Sequence, residues 1–576
     1  MLTVVLSSAV LLLAAYFTYG RLLERLFGIN PKRPTPAVEL QDGRDFEPIG
    51  RGPLMSQHFS AIAAAGPIVG PILAGLTFGW LPALIWILVG SILVGGVHDY
   101  ASLVASIRHK AQSVAEVVRQ HMSHRSYLLF LTFIWIALVY IVVAFTDITA
   151  TAFVGPAKAE NGGIGGGAVA SSSLMYLVLT LLMGLATRYL KLKEVTALAI
   201  FLPLVALAIV AGKWVPLDVE QLFTLSPGAA RKVWDVSLLV YCLIAGVVPV
   251  WLLLQPRGQL GGYFLYAALG AGALGLVFGG AEIQYPAFRG WEVAGANGAT
   301  QSLVPLLFIT IACGACSGFH GLIASGTTSK QLRSEADARP IGYGTMLLEA
   351  MVAVVSLSCV MMFKPGAAEL TGGPNMIYAQ GIGSFAAAFG VAKSVGIAFA
   401  LMAFCTFVYD TLDVCTRLGR YIFEELTGWR TTGGSIVGAG VMTGVPLFFL
   451  LRHPSDAAEP VWRTFWALFG ASNQLLAALT LLGVTVWLWR TQRAAWVWLV
   501  TGVPTLFMYT MSSWALVTMT FPKFHTTAGW QAPTDAVPWL GLVLLALAAL
   551  MAIEAVRAIA RDIPGPPNSR ALATPT

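Results

Sequence analysis

The stretch AIAAAGPIVGPILAG, Ala61 to Gly75, is an apolar run interrupted in its middle by Gly66, Pro67, Gly70 and Pro71. Each proline removes an amide hydrogen and excludes a normal helical turn. Two of them so close together unwind a segment otherwise apolar enough to cross a bilayer. A second run, IACGACSGFHG from Ile311 to Gly321, is broken in the same manner by glycines. Backbone N–H and C=O groups freed at membrane depth persist only where protein or a wet cavity supplies partners. A corresponding pair of broken spans points to the binding site of a secondary transporter. Close helix packing through small residues is the alternative reading. It is weaker for Gly-Pro-x-x-Gly-Pro than for the second run.

The chain around these breaks has 576 residues, of which 57% are hydrophobic and only 11% charged. Soluble domains carry about a quarter charged residues, so the class is an all-α polytopic membrane protein. Apolar segments of roughly 20 residues, enough for the hydrocarbon core, recur from the first residue to about Val556 and predict about fifteen spans. Most of the 35 basic residues fall in alternate connections, including Arg21 to Arg51, Arg108 to Arg125 and Lys330 to Arg339. This bias favours an N-terminus outside and a C-terminus in the cytoplasm. The basic residues form no single stripe, so the net charge of +7 gives no nucleic-acid surface.

The expected organisation is a retained first span at 1–20, a five-helix unit at 58–212, a helix pair at 236–281, a second five-helix unit at 303–489, two helices at 495–556 and a tail at 557–576. Residues 1–20 lack a basic n-region and are too long for a cleaved leader. Each five-helix unit begins with a broken span, at 58–78 and 303–326, and the two run in opposite directions. That is the plan of a LeuT-like 5+5 inverted repeat with a discontinuous first helix in each repeat. Residues 31–53 read as a Pro- and charge-rich loop, Asn161 to Gly167 as a flexible loop, and the tail from about Arg561 as disordered.

Ionisable side chains at membrane depth mark a substrate or ion path by default. Asp99, beside His98, lies roughly 9 Å inside its span at 1.5 Å per residue. Glu349 lies at comparable depth, and His320 follows the second break directly. Asp410 and Asp413 share a helical face, Asp410 having no basic partner one turn away. For Asp413 an ion pair with Arg417 stands beside a coupling role. Asp147 reads as a wet residue near a span end, and His58 and Glu194 as span-end residues. An imidazole can bind a carboxylate when charged and release a proton near neutral pH. The free N-termini of half-helices suit an anionic group, and exposed carbonyls suit a cation. The six cysteines all lie in apolar segments, so no disulfide is expected. Cys313 and Cys316 form a CxxC, but with no second ligand pair the zinc reading is weak. No nucleophile–base pair, metal cluster or cofactor motif argues for an enzyme.

GPIVGPILAG, HDYASL, SGFHGLIASGTTSKQL (Ser317 to Leu332), ADARPIGYGTMLLEA (Ala336 to Ala350) and TLDVCTRLGRYIFEEL (Thr411 to Leu426) resemble the hallmark segments of the carbon starvation protein A (CstA) family. His98 and Cys316 depart from the residue types expected there, and the chain is shorter than the longest members. The resemblance implies a bacterial inner-membrane transporter of the amino acid, polyamine and cation superfamily, linked to peptide or pyruvate uptake in starvation. It places Gly66, Pro67, Gly70 and Pro71 in the first unwound segment, Ser317, Gly318 and His320 in the second, and Thr411 and Asp413 in the coupling region. The combined expectation is a symporter binding a small carboxylate or short peptide at Gly66, Pro67, Gly70, Ser317, Gly318 and His320. Ion coupling falls to Asp99, Glu349, Asp410, Thr411 and Asp413, with protons preferred over sodium. No cofactor, resident metal or nucleic-acid partner is expected; the lipid bilayer is the remaining partner. A nutrient sensor without transport is the reading of a different class.

Overall fold

The computed structural model describes residues 1–43, 45–63, 65–155, 164–294, 300–454, 460–526 and 529–561. The expected disordered tail beyond residue 561, and residues 161–163 of the 161–167 loop, lie outside the described residues. Among the described residues the fold is all-α apart from two short antiparallel ribbons, Glu292–Ala294 with Thr300–Ser302 and His525–Thr526 with Gly529–Trp530, and one isolated bridge between Ile49 and Leu332. Among the described residues, eleven helices are long and apolar enough to cross a membrane, or twelve when the bent pair Arg51–Ile62 and Gly66–Phe78 counts as one span.

Three of the fifteen expected spans therefore fail as single apolar crossings. Segment 236–254 belongs to Pro227–Val247, whose first turns carry Arg231, Lys232 and Asp235. Segment 303–326 is two short helices, Leu303–Thr310 and Gly318–Gly326. Segment 495–517 is a π turn at Trp498–Gly502 leading into Val503–Phe524. The structure also has a helix at Pro374–Ala388 that is absent from the expected spans, because Gln380, Gly381, Gly383 and Ser384 dilute its apolar signal.

Burial separates a centre from a periphery. Glu335–Met361, Lys393–Thr427 and Val461–Gln492 have 89% of their most apolar window inside the protein, against 22% for Leu2–Leu26 and 28% for Ala536–Ala560. The central helices carry the polar residues, as a helix shielded from lipid on all sides can. The peripheral ones are apolar towards the bilayer.

The connections rich in basic residues meet on one face. Glu335, almost fully buried, accepts hydrogen bonds from the Arg33 guanidinium at 3.2 Å, from Arg108 at 2.9 and 3.1 Å, and from the Asn30 amide at 2.9 Å. Arg339 pairs with Glu24 at 2.8 Å. Arg417 and Arg420 both reach Asp45 at 3.5 Å. Burial alone would raise the Asp45 carboxyl. Lys330, Arg420, the Tyr421 hydroxyl and Arg417 outweigh it and hold that group below the ordinary carboxylate range. Asp45, Lys330 and Tyr421 also line, with Glu425 and Arg430, a cavity of about 310 Å³.

Glu335 thus ties three separate connections together. Glu335→Ala leaves the Arg108 guanidinium buried without its partner, a loss of about 3–5 kcal/mol for such a site. The expected outcome is a clear drop in the detergent-solubilised melting temperature, and an unchanged melt would remove Glu335 from the fastening of this face.

Candidate functional site

The first broken pair bends by 44° between Arg51–Ile62 and Gly66–Phe78. The break is shorter than the sequence suggests. Gly66, Pro67, Gly70 and Pro71 all fall within the second half-helix, leaving only residues 63–65 between the halves. Pro67 occupies the first turn, where a missing N–H costs nothing because that donor has no helical acceptor. The second break is longer, running from Ile311 to Ser317, with Ser317 at the N-cap of Gly318–Gly326. Ser317 is the last residue of the break, whereas Gly318 and His320, expected in the unwound segment, lie in the first turn of the half-helix.

The two breaks touch. A Cβ on Gly66 would fall 2.3 Å from the Cys313 sulfur, and one on Gly70 would fall 2.5 Å from the Thr310 carbonyl oxygen. Only glycine permits that approach. The two glycines therefore hold one half-helix against the unwound part of the other span.

Polar partners for the second break come from Val461–Gln492. The Asn473 Oδ1 accepts the Phe319 N–H at 2.9 Å, and its amide donates to the Ser317 hydroxyl at 2.9 Å. The Gln474 amide donates to the carbonyls of Phe308, Ala312 and Cys316 at 3.1, 3.3 and 3.0 Å. Neither residue is among the sequence candidates. A signal was present, as Ser472, Asn473 and Gln474 are consecutive polar residues in an otherwise apolar stretch of helix.

His320, Asp99 and Glu349 come together with no exposed surface. The His320 Nδ1 is 2.9 Å from Asp99 Oδ2, and its Nε2 is 3.3 Å from Glu349 Oε2. Asp99 also meets the His98 Nδ1 at 2.7 Å. Gly318–Gly326, which carries His320, packs against Arg51–Ile62, the half-helix that ends at the first break. The two carboxylates are delivered by the same device. A π turn at Ser91–Gly95 precedes Gly96–Arg108, which carries Asp99, and another at Arg339–Gly344 precedes Thr345–Met361, which carries Glu349. A π turn adds a residue to the helical register and rotates the turns after it, a feature frequent at functional sites. The two elements pack on each other, since a Cβ on Gly96 would meet the Tyr343 ring at 2.5 Å.

A second buried cluster lies on the other side of Arg51–Ile62. Arg257 forms an ion pair with Asp410, its Nε 2.9 Å from Oδ1, and donates to Asp413 and the Tyr241 hydroxyl. Its guanidinium stacks over the Tyr409 ring at 4.9 Å. Ser60 donates to Asp410, and the Tyr241 hydroxyl donates to Asp413 at 2.6 Å. The Thr411 hydroxyl bonds the Phe407 carbonyl at 3.1 Å and lies 3.5 Å from the carbonyl of Ala61.

Several expectations change here. Asp410 has a basic partner, which arrives from another helix and so escapes a search one turn away. Arg257 is a buried residue of Leu254–Gly279, although its sequence position suggests a basic connection. Asp413 pairs with Arg257, while Arg417 donates to the Ala245 and Val248 carbonyls at 2.8 and 2.6 Å. Asp147 is sealed, 3.4 Å from Arg231 and accepting the Trp462 N–H at 2.8 Å. His58 is buried too, with Nδ1 2.8 Å from the Thr328 hydroxyl. Glu194 does lie exposed at a helix start. All six cysteines are buried thiols. Cys313 lies 3.7 Å from the Ser317 hydroxyl, and among the described residues no group of three or more His, Cys, Asp and Glu is arranged to hold a metal ion.

Asn473→Leu would leave the Phe319 amide and the Ser317 hydroxyl without their partner. Each buried group so orphaned costs about 1–3 kcal/mol. The expected outcome is a lower melting temperature together with faster hydrogen exchange confined to residues 311–321; exchange unchanged there would refute the capping role.

Among known proteins, the chain matches the family described as "Carbon starvation protein CstA" over residues 1–372 and 366–515. It is 30% identical over 584 residues to a Helicobacter pylori protein named "Peptide transporter CstA", covering 91% of this chain and 82% of that one. It is also 30% identical over 600 residues to the "Pyruvate/proton symporter BtsT" of Escherichia coli, covering 89% and 81%. Among solved structures, the Eremococcus coleocola manganese transporter aligns with a TM-score of 0.49 at 13% identity, covering 90% of this chain and 98% of that one. By the extent of these sequence matches, the chain belongs to the carbon starvation protein CstA family.

Proposed function

We propose that this protein is a secondary transporter that imports a small carboxylate such as pyruvate, or a short peptide, across the bacterial inner membrane, driven by protons. The observation that carries the reading is the His320 imidazole, held between Asp99 and Glu349 at the start of the half-helix after the second break. One imidazole between two carboxylates is a site where a proton changes the balance of charge. It adjoins a helix N-terminus, where an anionic substrate gains from the partial positive charge. Proton uptake and substrate binding thereby act on the same few residues. The relatives named as a peptide transporter and a pyruvate/proton symporter support the same substrate classes.

The domain plan that accompanies this reading is two repeats of opposite direction, 58–212 and 303–489, the second holding Pro374–Ala388 beside its five expected spans, with the N-terminus outside and the C-terminus in the cytoplasm. Because His320, Asp99 and Glu349 are sealed from solvent, substrate reaches them only when one helical bundle rocks against the other. Asp410, Asp413 and Thr411 serve coupling from the opposite side of Arg51–Ile62. Sodium coupling is the second reading, favoured by the Thr411 hydroxyl lying 3.5 Å from the Ala61 carbonyl at the end of a half-helix.

Uptake of labelled pyruvate and of a labelled dipeptide into proteoliposomes, under a pH gradient and separately a sodium gradient, tests the whole reading. Accumulation of one substrate under the pH gradient alone is expected. Accumulation only with sodium would establish the second reading, and binding without accumulation would make the protein a sensor. His320→Ala is expected to abolish uptake in protein that still folds, and wild-type uptake in that variant would take His320 out of the mechanism. Glu349→Gln cannot release a proton. It is expected to lose gradient-driven accumulation while keeping exchange of internal for external substrate, and full accumulation would assign coupling elsewhere.

A further inference from the structure

The peripheral helix Leu2–Phe17 leaves a cleft of about 360 Å³ between itself and the central helix Thr345–Met361. Its walls are Leu12 and Leu13 on one side and Leu347, Leu348 and Met351 on the other, with Arg51 at its mouth. From Gly344 at the mouth to Met351 the cleft runs roughly 10 Å into the hydrocarbon at 1.5 Å per residue. Arg51 lies on the face where the basic connections gather. Its nearest carboxylate, Asp337, is 3.9 Å away, and the arginine side chain is 58% exposed.

We infer that this cleft is a binding site for one anionic phospholipid, with an acyl chain between the two helices and the phosphate on Arg51. An apolar cleft opening to the bilayer is not left empty, since lining atoms without neighbours lose their dispersion contacts. The lining suits a chain with a charged end, being apolar along Leu12, Leu13, Leu347, Leu348 and Met351 and cationic at Arg51. Charge complementarity selects the anionic headgroup. A second guanidinium, that of Arg339, stacks on the Tyr16 ring of the cleft wall at 4.9 Å, but Glu24 already engages it at 2.8 Å. Arg51, more than half exposed and paired only at 3.9 Å with Asp337, is therefore the cation at the mouth best placed to take a phosphate. Basic pockets between membrane helices are established sites for anionic lipid headgroups. The occupant would support the back of the helix that presents Glu349. Gly344, Leu347, Leu348 and Met351 form the cleft-facing stripe at helical spacing, whereas Glu349 turns inward to His320 at 3.3 Å.

The test is native mass spectrometry of the full-length protein released from nanodiscs of phosphatidylglycerol mixed with phosphatidylcholine, with melting temperatures recorded for every variant. The expected result is one retained phosphatidylglycerol on the wild type. Arg51→Gln should reduce that retention by about fivefold, the scale for one arginine at an anionic surface. Leu13→Trp, which fills the cleft from a peripheral and half-exposed helix, should abolish it without lowering the melting temperature. Retention unchanged in both variants, or phosphatidylcholine held as well as phosphatidylglycerol, would overturn the site.

Discussion

A polar group left unpaired in a medium that cannot hydrogen-bond is costly, and the helices of this protein are arranged around that cost. The second break exposes carbonyls and amides along residues 311–317, and two neighbouring side chains on another helix take up most of that burden. Asn473 caps the start of the following half-helix, and Gln474 collects three carbonyls from the preceding stretch. An unwound segment at membrane depth is thereby made compatible with a fixed geometry, which a binding site requires. The same rule governs the charges. Arg257 is tolerated at full burial because two aspartates and two tyrosines surround it, and breaking such an arrangement costs far more than the arrangement itself contributes.

The two buried clusters share a wall. Arg51–Ile62 packs against Gly318–Gly326, which carries His320, and its Ser60 donates to Asp410, so one half-helix touches the elements of both. A rotation of that half-helix about residues 63–65 changes both clusters at once. Coupling between an ion and a substrate needs some such element with two arrangements that both sites bias. The glycines of the next half-helix fit this picture in a way different from their sequence reading. Gly66 and Gly70 are contact surfaces for Cys313 and Thr310, and of the prolines beside them Pro67 stands at a helix start and Pro71 inside the helix, neither in an unwound loop.

The broken spans, the apolar crossings and the identity of His320, Asp99 and Glu349 as residues out of place in a membrane were legible from composition and position alone. Hydrocarbon imposes the same demand on every residue, so a single histidine in an apolar run is informative without any knowledge of its neighbours. The span count was less legible. Pro227–Val247 and the 303–326 pair fail as simple crossings because charges and short half-helices lower their apolar signal, and Pro374–Ala388 was masked by its small and polar residues.

By itself the sequence determined the environment, the all-α class, the presence of two broken spans and a short set of ionisable candidates, because each depends on local chemistry set against a uniform apolar solvent. Pairing depended on the tertiary structure. That His320 sits between Asp99 and Glu349, that Asp410 and Asp413 share Arg257, and that Asn473 and Gln474 serve the second break are relations between helices distant along the chain. His320 and Asp99 are 221 residues apart, Asp413 and Arg257 are 156 apart, and Phe319 and Asn473 are 154 apart. Helix periodicity fixes which face a side chain occupies and carries no information about which other face will meet it. Only the packing of the helices decides that.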